Sequence, residues 1–403
     1  MKQVLYNDTT LSNHFARSRR LIGTTDIRSL NPQVTPAFGG ESRFKVDKIG
    51  VKWATDLDIV TTISACTAGT PGTYLATVDW PGLFLWDRIE LYFQGEKFHE
   101  ISSLQAYEII QMHTQKNDGE LARLKTQLGS AVVGTRTTSA TASQTFYLNL
   151  GLLFYMFRYP LDIFNLNGEL EIRVVWKSSS DYVYVTDHTG TPAGPTLTSC
   201  QLKVTYVEPH SNLINKTFVK LQDEGGYLIP ETQYLTLDEV MTFTGSAKDF
   251  TMDLGGLTKK HITYMNINAQ LASNLTTAKG CDYVTNVKLN SFALKDSSNE
   301  YIDGMRVDTT DAYWRYIRLE YMNPKGIDNM VADYIYTISF CDDIRDQHES
   351  KGTVPPAVKD FSNITPMLYF NATGTSANYK VSVIAHCYKL LKIGGNQLTT
   401  VIQ

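Results

Sequence analysis

The chain of 403 residues is long enough for two hydrophobic cores and carries little net charge. Hydrophobic residues make up 42% of it and charged residues only 19%, while tyrosine occurs 23 times, a composition that favours short strands joined by polar loops. The formal net charge of -4 provides no basic field, which argues against a large nucleic-acid surface. We therefore expect an all-β protein of two domains without direct sequence-specific binding of nucleic acid.

The first predicted element is a basic N-terminal segment. Leu11, Phe15 and Ile22 fall near one helical face, which predicts a partly helical arm. Two interpretations are open: a solvated arm, or an amphipathic arm that contacts an anionic membrane or a neighbouring subunit. The second interpretation assigns that contact to His14, Phe15, Arg17, Arg19 and Arg20.

Period-two alternation of apolar and polar residues predicts half-buried strands in both halves of the chain. The clearest examples cover residues 170–176, 202–206, 334–340 and 379–387. Residues 103–115 and 309–319 instead have the apolar spacing of helices. Long segments rich in glycine, serine, threonine and proline, at 65–72, 129–144 and 178–199, predict surface protrusions.

The order of the predicted elements repeats between the two halves. A strand, a polar turn and a helix-prone segment start at Asp87 and again at Asn286. A strand, an aspartate-led hydrophobic pair and another strand follow later in each half, over 146–176 and 334–370. The repetition predicts two similar β-domains in tandem, joined near 209–230, where a proline lies at each end and a Gly-Gly pair lies between them.

The sequence contains none of the common catalytic motifs. GxxxxGK[ST], HExxH, GxSxG and GxGxxG are all absent, so we predict no catalytic, cofactor-binding or metal-binding residues. Asp56 and Asp58, and Asp342, Asp343 and Asp346 beside His348, could bind a divalent cation, but we interpret both groups as solvated turns. His99 and His113 are interpreted as hydrogen-bonded structural residues.

The five cysteines are widely spaced and never form a CxxC pair, so neither a disulfide framework nor a zinc site is predicted. We expect Cys66, Cys200, Cys281, Cys341 and Cys387 to be small core residues from a reducing compartment. The N-terminus lacks the apolar run of a signal peptide, and no later stretch reaches the roughly 18 apolar residues of a membrane span. We expect the protein to leave its cell only within a larger assembly.

Four segments, taken in order, resemble the double jelly-roll major capsid proteins of tailless membrane-containing phages and large eukaryotic DNA viruses. They are 87–98 (DRIELYFQGEKF), 146–176, 204–240 and 334–393. The resemblance implies two tandem eight-stranded jelly rolls with long loops and a few short helices. The expected organisation is an inward-facing arm (1–40), a first jelly roll (41–208), a connection (209–230), a second jelly roll (231–393) and a tail (394–403).

The resemblance also implies a non-enzymatic function. Such a protein forms homotrimeric pseudo-hexagonal capsomers that tile an icosahedral virion shell around an internal membrane, after assembly in the host cytoplasm. Its implied partners are neighbouring capsomers, penton and minor capsid proteins, and inner membrane lipid. Two alternatives stay open at this point: a carbohydrate- or receptor-binding β-sandwich such as a spike or lectin, and a glycan-active enzyme with two carboxylates in a cleft.

Overall fold

The computed structural model describes most of the chain as strands with a few short helices. The described residues are 22–66, 75–77, 80–113, 118–129, 142–158, 161, 163, 166–178, 184–186, 194–209, 227–273, 287–310, 334–340, 358–394 and 397–402. Strands and helices are numbered below in chain order within these ranges.

The first half contains ten strands and three helices among the described residues. They are β1 (Ile22–Leu30), β2 (Glu41–Lys45), β3 (Trp53–Ile63), β4 (Leu75–Thr77), α1 (Pro81–Phe84), β5 (Trp86–Phe93), β6 (Glu96–Ser102), α2 (Ser103–His113), α3 (Asp118–Leu128), β7 (Gln144–Asn149), β8 (Leu170–Trp176), β9 (Tyr184–Thr186) and β10 (Leu197–Pro209). Two short 3-10 turns, Leu150–Leu152 and Tyr155–Arg158, lie between β7 and β8.

The described part of the second half contains ten strands and the 3-10 turn Gly255–Leu257, with helical residues at 272–273 and 310. The strands are β11 (Tyr227–Phe243), β12 (Lys248–Asp253), β13 (His261–Leu271), β14 (Leu289–Lys295), β15 (Tyr301–Val307), β16 (Tyr336–Ser339), β17 (Lys359–Asp360), β18 (Met367–Ala372), β19 (Ala377–Gly394) and β20 (Gln397–Ile402).

Both halves have the same strand order. In the first half the antiparallel sheets are β1-β10-β3-β7 and β2-β8-β5-β6; in the second they are β11-β19-β13-β16 and β12-β18-β14-β15. The strands β4, β9, β17 and β20 are additional to this pattern. When the other eight strands of each half are numbered 1 to 8 along the chain, the two sheets of each half have the strand orders 1-8-3-6 and 2-7-4-5. This is the order of a jelly roll, and the predicted pair of tandem jelly rolls is confirmed.

Alternating side chains build the two cores. In β8, Leu170, Ile172, Val174 and Trp176 are buried and the residues between them are only partly buried. They pack with the inward residues of the opposite sheet, whereas the second core collects residues such as Phe292 and Val383. Burial of one face in each sheet provides the hydrophobic free energy that holds each jelly roll together.

The two longest strands, β11 and β19, pair with each other along 227–243 and 377–394 and serve both jelly rolls. Val383 and Cys387 of β19 belong to the second core. Further along the same strand, Leu391 and Ile393 are fully buried in the first core. The last part of β19 therefore contributes to the core of the first jelly roll.

Some strands fall where the sequence analysis expects other structure. Residues 22–30, expected in the arm, form β1, in which Leu30 packs against the first core and the backbone pairs with β10. Ile22 therefore lies in a strand and not on a helical face. β11 begins inside the expected connection, and β20 lies inside the expected tail and pairs with β19. β9, inside the predicted loop 178–199, pairs with β4.

The helix predicted over 103–115 is confirmed as α2, with Ala106, Tyr107 and Ile110 buried in the first core. In the sequence α2 lies between β6 and β7, and its side chains contact the second jelly roll. The other predicted helix, 309–319, lies outside the described residues beyond Thr310.

Candidate functional site between the two jelly rolls

The residues predicted to contact a membrane or a neighbouring subunit lie outside the described residues: His14, Phe15, Arg17, Arg19 and Arg20. The acidic cluster of Asp342, Asp343, Asp346 and His348 lies outside them as well. In the described part of the chain, no group of three or more metal-ligating side chains is close enough to hold an ion, and no helix is long and apolar enough to cross a membrane.

The Asp56–Asp58 pair is part of β3. Asp58 Oδ1 accepts a hydrogen bond of 2.9 Å from Asn149 Nδ2 on β7, and burial raises the pKa of its carboxyl although this bond opposes the shift. Asp56 has the left-handed backbone conformation, with φ 41. Asp58 thus acts as a structural link between two strands, and the interpretation of the pair as a solvated turn is wrong for it.

Three of the cysteines are confirmed as buried core residues: Cys66, Cys200 and Cys387. Burial raises the pKa of their thiols to about 11, about 12 and about 12. The thiolate is the reactive form, so these thiols are inert at neutral pH. Cys281 and Cys341 lie outside the described residues.

The sheet β11-β19-β13-β16 buries a polar face against the first jelly roll. Along β13, Met265, Ile267 and Ala269 point into the second core. The alternate residues point the other way, towards α2, and they are buried as well. The buried polar side chains on this outer face are Asn266, Asn268, Gln270, Thr337, Ser382 and His386.

Glu108 of α2 is the centre of this polar contact. Asn266 Nδ2 donates to Glu108 Oε2 at 3.2 Å, and Asn268 Nδ2 donates to Glu108 Oε1. Thr337 Oγ1 donates to Asn266 Oδ1 at 2.8 Å and so fixes the orientation of that amide. Burial raises the pKa of Glu108 to about 8, and the two amide hydrogen bonds only partly oppose the shift. Glu108 is therefore mainly neutral at pH 7.

Further contacts surround Glu108 on both sides of the junction. Gln105 Nε2 donates to Thr236 Oγ1 at 2.8 Å, and the Tyr234 hydroxyl donates to the backbone oxygen of Leu153 at 3.4 Å. The His386 ring stacks on Tyr264 with ring centroids 3.6 Å apart, and Tyr234 meets its edge at 4.8 Å. The junction therefore combines hydrogen bonds with aromatic packing.

Glu231, in β11, is a second buried carboxylate of the junction. It accepts hydrogen bonds from the backbone N–H groups of Tyr155 at 3.0 Å and Met156 at 2.9 Å. His99 Nε2 is 3.7 Å from Glu231 Oε1. Burial alone would raise the pKa of Glu231, but the interaction with His99 and the backbone donors outweighs it, so the pKa is lowered. Glu231 is therefore ionised.

Lys389 provides a positive charge beside Glu231. The two residues face each other across β19 and β11, and Lys389 Nζ donates to the backbone oxygen of Phe98 in the first jelly roll. Burial lowers the pKa of Lys389 while Glu231 opposes that shift. His99 itself is buried and packs edge-on against Phe154 at 4.9 Å, so its predicted structural role is confirmed.

Of the residues at this junction, the sequence singled out His99 but not Glu108, Glu231, Asn266 or Asn268. One signal was present: the outward positions of β13 carry Asn, Gln and Tyr but no Lys, Glu or Asp. A strand face open to water usually carries charged residues, whereas a buried polar face carries neutral groups that can all be hydrogen-bonded. Among the described residues, Glu108, Glu231 and their partners form a joint between two domains.

The duplicated strand order across the whole chain defines the class of fold: a double jelly roll. Among solved structures, the PBCV-1 protein VP54 superposes with a TM-score of 0.70 at 14% identity, covering 94% of this chain and 97% of that one. The Faustovirus major capsid protein superposes with a TM-score of 0.66 at 11% identity, covering 92% of this chain and 90% of that one. The mavirus major capsid protein superposes with a TM-score of 0.53 at 11% identity, covering 93% of this chain and 90% of that one.

The sequence itself matches no family model and no curated protein. The likeness is therefore one of fold, and it extends over nearly the full length of each compared chain. It confirms the double jelly roll that the four sequence segments indicate.

Proposed function

We propose that the chain is a viral major capsid protein, a structural and non-enzymatic component of the virion. The observation that carries the proposal is the duplicated jelly-roll order over the whole chain, shared with proteins named as major capsid proteins. A protein that shared only one jelly roll with them would have fitted many functions. The proposal includes assembly in the host cytoplasm and contact with neighbouring capsomers, penton proteins and minor capsid proteins.

The proposed capsomer is a homotrimer, and the internal duplication supports it. The contact between the two jelly rolls is head-to-tail: the outer face of β11-β19-β13-β16 packs on α2 and the 3-10 turns of the first jelly roll. The corresponding sheet of the first jelly roll, β1-β10-β3-β7, has an outer face that the described residues of this chain leave open. Head-to-tail contacts of this kind generate rings when the rotation closes.

The open face has the character of a subunit contact. Ile27 on β1 is 67% exposed, and Tyr147 on β7 is 41% exposed although its neighbours Phe146 and Leu148 are in the core. Thr337, which points outward from the corresponding strand β16, is only 4% exposed. Repeating the internal contact between three copies would cover this face and place six jelly rolls in one ring, a tile suited to an icosahedral shell.

We expect light scattering to give the purified chain three times the mass of a monomer. The Tyr147→Glu variant is expected to have the mass of a single monomer. The variant should keep the wild-type circular dichroism spectrum, because the replaced ring lies outside the core. Tyr301→Glu is the matched control: Tyr301 is 42% exposed, lies in β15 of a different sheet, and like Tyr147 has a lysine over its ring.

A monomeric wild type would contradict the trimer itself. A trimeric Tyr147→Glu protein would contradict only the assignment of the open face, so the two results are separable.

We further propose that the basic arm faces inward and contacts an internal membrane or a neighbouring capsomer through His14, Phe15, Arg17, Arg19 and Arg20. A basic residue near anionic lipid contributes about 1 kcal/mol, so the cluster could hold the arm at a membrane surface. Deleting residues 1–20 is expected to leave the trimer intact and to prevent shell assembly around the vesicle or alter its spacing from the membrane. Unchanged shells, seen by electron microscopy, would contradict this role.

The alternative, a carbohydrate- or receptor-binding β-sandwich, would need an open aromatic surface. The best candidate in the described residues is Tyr301 and Tyr369 on the outer face of the second jelly roll. Lys295 Nζ, however, lies 5.0 Å from the centroid of the first ring and 4.8 Å from that of the second, so the lysine covers both. This arrangement does not favour the stacking of a sugar, and the capsid proposal is preferred.

A further inference from the structure

The junction between the jelly rolls contains two buried carboxyl groups in different surroundings: the pKa of Glu231 is lowered, whereas that of Glu108 is raised. Glu231 has three backbone donors, His99 and Lys389 around it. Glu108 has only the neutral amides of Asn266 and Asn268. Within the described residues, no cationic side chain forms an ion pair with Glu108.

We infer that the contact between the two jelly rolls is an alkaline-sensitive joint, stable while Glu108 is protonated and weakened when Glu108 loses its proton. The inference concerns a single chain and does not depend on the proposed capsid function.

The surroundings of Glu108 make its ionised form unfavourable. Its side chain is enclosed between α2 and the outer face of β13, about as far from water as the core residues around it. An ionised carboxylate there would have two amide donors and no counter-charge, which is a costly arrangement in a protein interior. A protonated carboxyl has no such cost.

The other titratable groups near Glu108 do not remove this cost. On the facing sheet they are His386, whose Nε2 is 3.5 Å from Asn266 Nδ2, and Tyr264 and Tyr234, whose rings contact His386. Two further charged residues of the junction, Glu231 and Lys389, face each other on the two long strands, and His99 contacts Glu231 in the same separate group. Lys380, also on β19, is paired with Asp238 at 2.7 Å.

The direction of the pH effect follows from proton linkage. Unfolding returns Glu108 to its ordinary pKa of 4.5, whereas in the folded chain the pKa is about 8. Between these values the folded state holds a proton that the unfolded state releases, so stability falls as pH rises, by up to about tenfold in the unfolding equilibrium per pH unit. The stabilisation is complete below pH 4.5 and is lost as pH passes about 8.

Glu108→Gln provides the test, because glutamine is neutral at every pH. Urea unfolding of the full chain would be measured from pH 6 to pH 9.5. We expect the wild type to lose stability from pH 6 to about pH 8, with little further loss from this group above pH 8, and Glu108→Gln to have a much flatter profile and to be the more stable protein at pH 9. Glu239→Gln, at an exposed position of β11, should keep the wild-type slope.

Parallel profiles for the wild type and Glu108→Gln would overturn the inference. If the variant does not fold, the infrared carbonyl band of a protonated carboxylic acid gives an independent test on the wild type. The band should be present at pH 7 and disappear above pH 8; its absence at pH 7 would show that Glu108 is already ionised and would also overturn the inference.

Discussion

Replacement of Glu231 by alanine is expected to lower the free energy of unfolding by about 3–5 kcal/mol, because each buried donor left without its acceptor costs about 1–3 kcal/mol. The change leaves the N–H groups of Tyr155 and Met156 without their acceptor. It also removes the negative charge that faces Lys389 across the two strands and that raises the pKa of that ammonium. The measurement is urea unfolding at pH 7 followed by circular dichroism.

Glu239→Ala is the control, because Glu239 is an exposed glutamate in the same strand and its replacement should change stability by less than about 0.5 kcal/mol. Glu231→Gln, which keeps one carbonyl acceptor but loses the charge, should fall between the two. Equal losses for Glu231→Ala and Glu239→Ala would show that the buried carboxylate does not hold the two jelly rolls together.

Val383→Asp is expected to prevent folding altogether. Val383 is fully buried in the second core, and an unpaired carboxylate there would cost several kcal/mol in addition to the lost packing. A domain has only about 5–15 kcal/mol of net stability, so this loss is enough to unfold the second jelly roll. Soluble yield and the mass of the soluble species would measure the effect.

Val240→Asp is the matched control, since Val240 lies in the same sheet but is 62% exposed. It should give soluble protein with the wild-type spectrum. Ile172→Asp tests the first core in the same way, because Ile172 is fully buried in β8. Soluble trimer from Val383→Asp would mean that the assignment of inward and outward residues along β19 is wrong.

The strands were largely predictable from local sequence. In β8 the apolar residues occur at every second position, and the sheet buries that same set. The duplication was also visible, because each half repeats strands, turns and helix-prone segments in one order. These features depend on neighbouring residues in the sequence, so no knowledge of tertiary contacts was needed.

The junction was not predictable in this way. Glu108 and Asn266 are 158 residues apart in the sequence, and a glutamate on a helix ordinarily faces water. On β13, the alternation of Met265 and Ile267 with Asn266 and Asn268 indicates one buried and one exposed face, yet the structure buries both. Only packing of the second jelly roll on the first makes the polar face interior.

The strand β1 was missed for a related reason. Its sequence, IGTTDIRSL, has weak alternation, and the basic residues before it suggested a continuous amphipathic arm. Its partner is β10, where Tyr206 opposes Asp26 and Leu202 opposes Leu30. Pairing with a strand from the far end of the same jelly roll determines the structure of β1.

The long strand β19 has a consequence for synthesis of the chain. Leu391 and Ile393 are part of the first core, although they follow almost all of the second jelly roll in the sequence. The first jelly roll is translated before the second, but its core lacks these two side chains until β19 has been synthesised. A chain interrupted between Cys387 and Leu391 would contain the second core and leave the first core incomplete. The domain that is translated first therefore reaches its final packing only after the domain that follows it.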